Sequence, residues 1–431
     1  MLDFGRSGDP RVQAQLDRLA QLSVPDGRLG LETIRALMDR LGNPHRKLPP
    51  VFHVAGTNGK GSVCAFLRAM LEADGKRVHV TTSPHLVRYN ERIRIAGELI
   101  GDEALAALLA EVLDASEDLK PSFFEVTIAA AFLAFSRTPA DACVVEVGLG
   151  GRLDATNVLE PEALAACGIA ALGIDHEKFL LAPEAGVPDN PMARIGFEKA
   201  GIAKESVPLV TLCEDYYDDL AYEAIAQAAL RAGARLCDNG QWVYVDQGSA
   251  QILDHYDQDV RLVPSIPGQH QISNVALAAT MLLIQDTVPV SVASLVAGAK
   301  RASWPARLQC LSAGPLVGSR KVWLDGGHNP NAGAMLGENF AGQHAHLIIG
   351  MLEAKDPAAL IEPLSASLKS VTAVPVPGHE AHGAEAFAEA SAAPDVPSAL
   401  ARLPDDGLPV LIAGSLYLAG EVLRLNNEVP D

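Results

Sequence analysis

Basic residues are in short supply in this chain. Of its 431 residues, 34 are lysine or arginine against 53 aspartate or glutamate, a formal net charge of −19. A molecule of that sign lacks the cationic field that broad nucleic-acid or membrane-surface binding requires, so neither is expected as a partner. Cysteine is scarce too: six, at positions 64, 143, 167, 213, 237 and 310, with no C-x-x-C pair. That argues against a disulfide framework or a zinc site, and the cysteines inside apolar runs are expected to be packing residues. No apolar stretch of about 18 residues is free of charge, which argues against a membrane span. Met1–Arg6 lacks the basic-then-apolar order of a secretory leader, and the expected location is cytoplasmic. What is left is an ordinary globular composition, 48% hydrophobic and 20% charged, with length for two or three domains.

One segment then stands out. Residues 53–62 read HVAGTNGKGS. An apolar run from Pro49 to Val54 leads in, and a helical pattern (Val63, Phe66, Leu67, Met70, Leu71) leads out. Strand, glycine-rich loop and helix form the context of a phosphate cradle, in which backbone N–H groups and the positive helix end face the anion and a lysine adds mobile charge. The segment Gly56, Thr57, Asn58, Gly59, Lys60, Gly61 and Ser62 is therefore expected to hold a nucleotide triphosphate. Here Gly61 intervenes between Lys60 and Ser62, so the usual magnesium-holding hydroxyl is displaced and a metal ligand must come from elsewhere. The bland alternative is an ordinary glycine turn.

Periodicity organises the rest. Val12–Leu22 and Leu31–Leu41 read as amphipathic helices. Strands are expected at 77–82, 142–147, 165–172 and 207–212, with helices at 102–114 and 127–135. Such alternation predicts a doubly wound, mostly parallel sheet. A break near 286–305, ending at Trp304-Pro305, precedes a second, smaller α/β unit. There strands are expected at 321–324, 346–349, 371–376 and 408–413, with helices near 331–340, 357–368 and 416–423. The alanine-rich stretch 384–393 reads as helix. The domain boundaries are placed at 1–299 and 300–431.

Several polar clusters follow strand ends, where doubly wound sheets bind ligands. In 81–95, Ser83 is a candidate metal ligand, and Arg88, Arg92 and Arg94 are candidate anion contacts; a solvated surface loop is the alternative. Glu146 ends an apolar strand. A buried carboxylate needs a partner, either magnesium or an arginine such as Arg152. His176 follows another strand. Lys199, in an apolar helix-to-turn context, is snorkelling or paired unless it has a special role. In the second unit Asp325, His328 and Asn329 sit together, in a pattern that serves proton transfer, phosphate contact or a turn, and Arg307 is a candidate γ-phosphate contact.

Taken in order, HVAGTNGKGS (53–62), TTSPHLVRYNERIRI (81–95), FFEVT (123–127), VVEVGLGGRLDATN (144–157), GIDH (173–176), FEKAGI (197–202), PGQHQISNVALAA (267–279), WPARLQ (304–309), DGGHNP (325–330) and GSLYLAGEV (414–422) resemble the folylpolyglutamate synthase/dihydrofolate synthase family. That family lies within the Mur-type ATP-dependent amide ligases. The resemblance runs along nearly the whole chain. It implies an N-terminal ATPase domain and a C-terminal Rossmann-like domain with the active site in the cleft between them. It implies ligation of L-glutamate to dihydropteroate, and γ-linked glutamate addition to folates, through an acyl phosphate. The Ser83–Leu86 loop and Phe123-Phe124-Glu125 look more like bifunctional members than single-activity ones.

By the same resemblance, Gly59, Lys60 and Gly61 hold the β- and γ-phosphates of ATP. Ser83 and Glu146 bind one of two magnesium ions. His176 binds the other with Lys199, which is carbamylated in this family. Asn274 and Arg307 contact ATP, with Asp325 beside the nucleotide. His328 and Ser415 fall at the incoming glutamate; Phe124 and Asp154 fall at the pterin, and Arg88 is assigned to the substrate side. A potassium ion near the glycine loop and a monomeric state are also implied. Three departures from the family pattern occur: a longer stretch between His176 and Lys199, Ala306 where glycine is usual, and Gly327 where alanine is usual. The rival readings are a Mur-type ligase acting on a cell-wall precursor, a phosphate-loop ATPase driving motion or transport, and a non-catalytic nucleotide-binding scaffold.

Overall fold

The computed structural model describes residues 6–22, 30–237, 243–244, 248–253 and 259–430. The chain divides into two compact units, Met1–Ser265 with Gln271–Ser303, and Ile266–His270 with Trp304–Asp431. Among the described residues no helix is long and apolar enough to cross a membrane.

The first unit is built on strands β1 (Val51–Ala55), β2 (Val78–Thr81), β3 (Ile93–Ile95), β4 (Glu98–Leu99), β5 (Ala142–Glu146), β6 (Leu164–Ile169), β7 (Pro208–Thr211) and β8 (Arg235–Cys237). They form one sheet in the order β4-β3-β2-β5-β1-β6-β7-β8. The run from β2 to β8 is parallel, and β3 and β4 close one edge as an antiparallel hairpin. Strands β1, β5 and β6 are buried along their whole length, which is why each reads as an unbroken apolar run rather than an alternation. The register pairs Val54 with both Glu146 and Gly168, and Thr81 with Val145. The carboxyl ends of β2, β5, β1 and β6 are therefore level with one another. β1 leads on to β2 on the β5 side, while its other neighbour β6 leads on to β7 in the opposite direction. That is a topological switch point, where such sheets open a ligand crevice.

The helix expected from Thr127 starts earlier, at Phe123, and runs to Arg137. Ser122 and Glu125 form a reciprocal capping box there, an arrangement contributing about 1 kcal/mol. Every residue from Val126 to Phe135 is buried, as befits a helix apolar on all sides. An antiparallel three-stranded sheet, β9 (Val243–Tyr244), β10 (Ala250–Leu253) and β11 (Asp259–Leu262), completes the unit.

The second unit carries β12 (Gln309–Cys310), β13 (Val322–Leu324), β14 (Ala345–Ile349), β15 (Leu368–Ala373), β16 (Ser391–Ala392) and β17 (Val410–Ala413), in the order β12-β13-β17-β14-β15-β16. All but β12 run parallel. Leu336, Phe340, Leu347, Ile349, Leu360, Phe387 and Leu411 share its core. Two expectations fail here. The helix read over 357–368 stops at Leu364, where Pro363 in the last turn is followed by the tighter turn Ser365–Ser367. The stretch 384–393 is not a helix: it holds one turn, Ala384–Ala386, and the short β16. Phe387 is fully buried and Ala388 is left-handed at φ 55°, so packing of one aromatic ring overrides alanine's propensity.

Candidate active site

The glycine loop leaves β1 at the switch point. Gly59 caps the Lys60–Ala73 helix in the left-handed region, φ 84°, and a Cβ there would lie 2.5 Å from Asn274 Oδ1. Asn274 is itself buried and donates to Gln271 Oε1 at 2.9 Å. The N–H groups of Thr57 and Asn58 donate to Ala171 O at 2.9 and 3.1 Å, and Thr57 Oγ1 donates to Gly173 O at 2.9 Å. The loop is thus pinned to the exit of β6, while the helix presents its first N–H groups, which lack partners within any helix. Lys60 folds back, donating to Gly56 O at 3.0 Å and Thr57 O at 3.2 Å.

The neighbouring strand ends bring up the rest. Ser83, past β2, donates its N–H to Glu146 Oε2 at 3.1 Å, and Glu146 at the end of β5 is buried. Arg152 is committed elsewhere, to Glu198 at 2.9 Å and Glu184 at 2.6 Å. Past β5, Gly148 passes so close to the Phe124 ring that a Cβ would overlap it. Asp154 is buried and accepts from Leu149 N at 2.8 Å and Thr156 N at 3.0 Å; burial raises its carboxyl above the usual range against those hydrogen bonds. Thr156 Oγ1 in turn meets His53 Nε2 at 2.8 Å, and burial holds His53 neutral, its pKa down at about 3.

His176, past β6, is half-buried and left-handed at φ 53°. Lys199, near the end of the Pro191–Ala200 helix, is 3% exposed. Burial first, and then the charge of Lys60, pushes its ammonium down to about 7, against the pull of Asp154, Asp175 and Glu198. An amine that sheds its proton near neutrality is unusual for lysine, and burial is its main cause. Asp175 lies inside the GIDH segment yet was not singled out from sequence, since its influence on Lys199 depends on the fold.

Two of the three arginines of 81–95 are engaged within the protein. Arg92 is 1% exposed; its Nε donates to His85 Nδ1 at 2.8 Å and its guanidinium lies over Tyr89 and Phe123, 5.5 and 5.3 Å from the ring centroids. Arg94 donates to Gly97 O at 2.6 Å in the edge hairpin. Arg88 is exposed, in a loop whose Leu86, Val87 and Arg88 N–H groups all donate to the Glu91 carboxylate.

In the second unit, register pairs Leu324 with Ile412, so Asp325 and Ser415 emerge from adjacent parallel strands. Asp325 is buried and accepts from Leu308 N at 2.8 Å and Gly327 N at 2.7 Å, with burial raising its carboxyl and Arg307 opposing that rise. Arg307 is half-buried between two left-handed residues, Ala306 at φ 54° and Leu308 at φ 43°. A left-handed position is where glycine costs least, which accounts for alanine at 306 being a departure. His328 Nδ1 lies 3.1 Å from Gly326 O, and Ser415 caps the Leu416–Leu425 helix.

A glycine cradle at a switch point, a buried carboxylate ending the strand beside it and a buried lysine on a neighbouring helix are the site of an α/β ATP-dependent ligase of the Mur fold. No family model matches the chain. The dihydrofolate synthase/folylpolyglutamate synthase of Bacillus subtilis is 33% identical over 434 residues, covering 92% of this chain and 94% of that one. The Escherichia coli FolC structure in complex with DHPP and ADP matches with a TM-score of 0.83 at 28% identity, covering 97% of this chain and 98% of that one. A bifunctional folylpolyglutamate synthase/dihydrofolate synthase with Mn, AMPPNP and L-glutamate bound matches with a TM-score of 0.79 at 29% identity, covering 98% and 99%. The chain belongs to the dihydrofolate synthase/folylpolyglutamate synthase family. These likenesses set aside the cell-wall ligase, the motion-driving ATPase and the scaffold.

Proposed function

We propose that this chain joins L-glutamate to dihydropteroate, and extends folates by γ-linked glutamates, after activating the acid with ATP. The observation that carries the reading is the meeting at level strand ends of the glycine cradle and the Ser83–Glu146 pair, with the buried Lys199 close enough to feel the charges of Lys60 and Asp154.

A carboxylate is a poor acyl donor, because its charge repels nucleophiles and oxide is a poor leaving group. Phosphorylation by ATP turns it into an acyl phosphate, which the amine of glutamate attacks with loss of phosphate. In this reading the 1–299 region is the ATPase domain and 300–431 the glutamate-ligase domain. Gly56–Ser62 cradle the β- and γ-phosphates, Lys60 leaves its loop carbonyls to meet them, and Arg307 adds charge at the γ-phosphate. Asn274, held by Gln271, and Asp325 border the nucleotide. Phe124 and Asp154 hold the pterin, with Arg88 on the folate side; His328 and Ser415 hold the incoming glutamate.

Among the described residues no group of three or more His, Cys, Asp or Glu is placed to hold a metal ion alone. Magnesium does not demand one: it keeps several waters and takes one or two carboxylates plus phosphate oxygens. The buried Glu146 with Ser83 fits one such ion; His176 with Lys199 fits a second if Lys199 carries a carbamate. When bound, the two magnesium ions would neutralise phosphate charge. Carbamylation of Lys199 needs a neutral amine, which its lowered pKa supplies. A potassium ion near the glycine loop, a monomeric state and a cytoplasmic location complete the proposal.

The test is phosphate release and product mass with dihydropteroate or tetrahydrofolate, each with and without L-glutamate. A glutamylated product is expected only when ATP, a pterin acid and glutamate are all present; no product with either acid would overturn the reading. Phe124→Ala is expected to raise KM for dihydropteroate about tenfold, the loss of one aromatic contact, with KM for ATP unchanged in initial-rate assays.

A further inference from the structure

The stretch between His176 and Lys199 is longer than the family's usual spacing. It holds one short helix, Glu177–Leu180, before the Pro191–Ala200 helix begins. Residues 183–186, 189 and 190 are exposed. One side chain of this excursion nevertheless reaches inward. Glu184 accepts from Arg152 at 2.6 Å and from Arg194 at 2.9 Å.

Both arginines also hold Glu198, Arg152 at 2.9 Å and Arg194 at 3.1 Å. The Arg194 and Glu198 side chains are 6% and 4% exposed. Glu184 therefore completes a balanced cluster of two cations and two anions. Without it, Glu198 alone faces two guanidinium groups; the Glu184 end of the cluster is open to solvent, at 42% exposure, but Arg194 is buried, and a buried charge short of its partner is costly. An arginine then gains by swinging toward solvent.

The cluster sits between two functional segments. Arg152 lies two residues before Asp154, and its N–H donates to Glu198 O at 2.8 Å. Asn157 Nδ2 donates to both Arg152 O and Gly201 O, at 2.9 and 3.0 Å. Glu198 immediately precedes Lys199. The ion cluster is the side-chain half of the joint between the loop bearing Asp154 and the helix bearing Lys199.

We propose that Glu184 is a positioning residue: the inserted segment straps Arg152 and Arg194 onto Glu198 and so fixes Lys199 relative to Asp154. This rests on the functional reading above. Glu184 acts through the two arginines that it holds.

The test is Glu184→Gln, which keeps shape and removes charge, beside Glu184→Asp, which keeps charge. At saturating substrates kcat for glutamylation is expected to fall on the order of tenfold in the glutamine variant, as sub-ångström misplacement of reacting groups does. KM for ATP should stay at its wild-type value, Tm should fall only slightly because the released arginine can reach solvent, and the aspartate variant should keep most of its kcat. Amide hydrogen exchange across 191–200 should quicken in the glutamine variant alone. Unchanged kcat and unchanged exchange would overturn the strap, and so would equal loss in both variants. If the wild-type chain makes no glutamylated product, the functional reading fails, while the exchange measurement still decides the strap.

Discussion

Lys199→Ala is expected to fold and to lose glutamate ligation on the order of a hundredfold or more, the scale of removing a metal ligand's support or a charge-stabilising group. The fold should survive because the amine is a burden to it. Burial and Lys60 hold the Lys199 pKa near 7 in the folded chain, whereas an unfolded lysine titrates at about 10.4. Between those values the unfolded chain binds the extra proton, so this residue makes stability rise with pH from about 7 upward and penalises the fold fully below it. The alanine variant should lack that slope in melts followed by circular dichroism. Turnover should follow the neutral amine, climbing through about pH 7 in the wild type, with added bicarbonate helping only there. Wild-type turnover in Lys199→Ala would remove the residue from the mechanism.

Gly59→Ala should be nearly as damaging, for a steric reason. At φ 84° an added Cβ is strained, at a cost of about 1–2 kcal/mol, and it would also press on Asn274 Oδ1 at 2.5 Å. Relief requires moving either the first helical turn or Asn274, and the proposed nucleotide contacts depend on both. Nucleotide affinity measured by calorimetry is expected to fall more than about tenfold, the equivalent of 1.4 kcal/mol, while far-UV circular dichroism stays native. Undiminished ADP affinity would show that the cradle does not hold the phosphates.

The parts of the molecule that could be read in advance are those whose physics is local. β1, β5, β6 and β14 are buried throughout, and burial on both faces leaves a short apolar run, too short for a helix, that marks a strand. Polar segments just past β2 and β5 made Ser83 and Glu146 candidates from their setting alone, whereas the roles of His176 and Lys199 came only with the family resemblance. The hairpin β3–β4 could not be read, because Ile93-Arg94-Ile95 is too short to show a period. Nor could the fate of Arg92: a guanidinium aimed at a ligand and one stacked on Tyr89 and Phe123 sit in equally polar sequence. Glu184 is the same problem at longer range. Its partners are Arg152 and Arg194, and nothing in the residues around it announces them.

The level strand ends of the first sheet have an evolutionary corollary. Each segment of the rim hangs from its own strand, and the exposed stretch around Glu184 lies between β6 and β7, which are hydrogen-bonded neighbours. Recognition of the acid is thus carried by replaceable fittings on an unchanged foundation. Attempts to retrain this enzyme for other carboxylates belong in 82–92 and 147–157, the segments that the proposed function sets beside the acid.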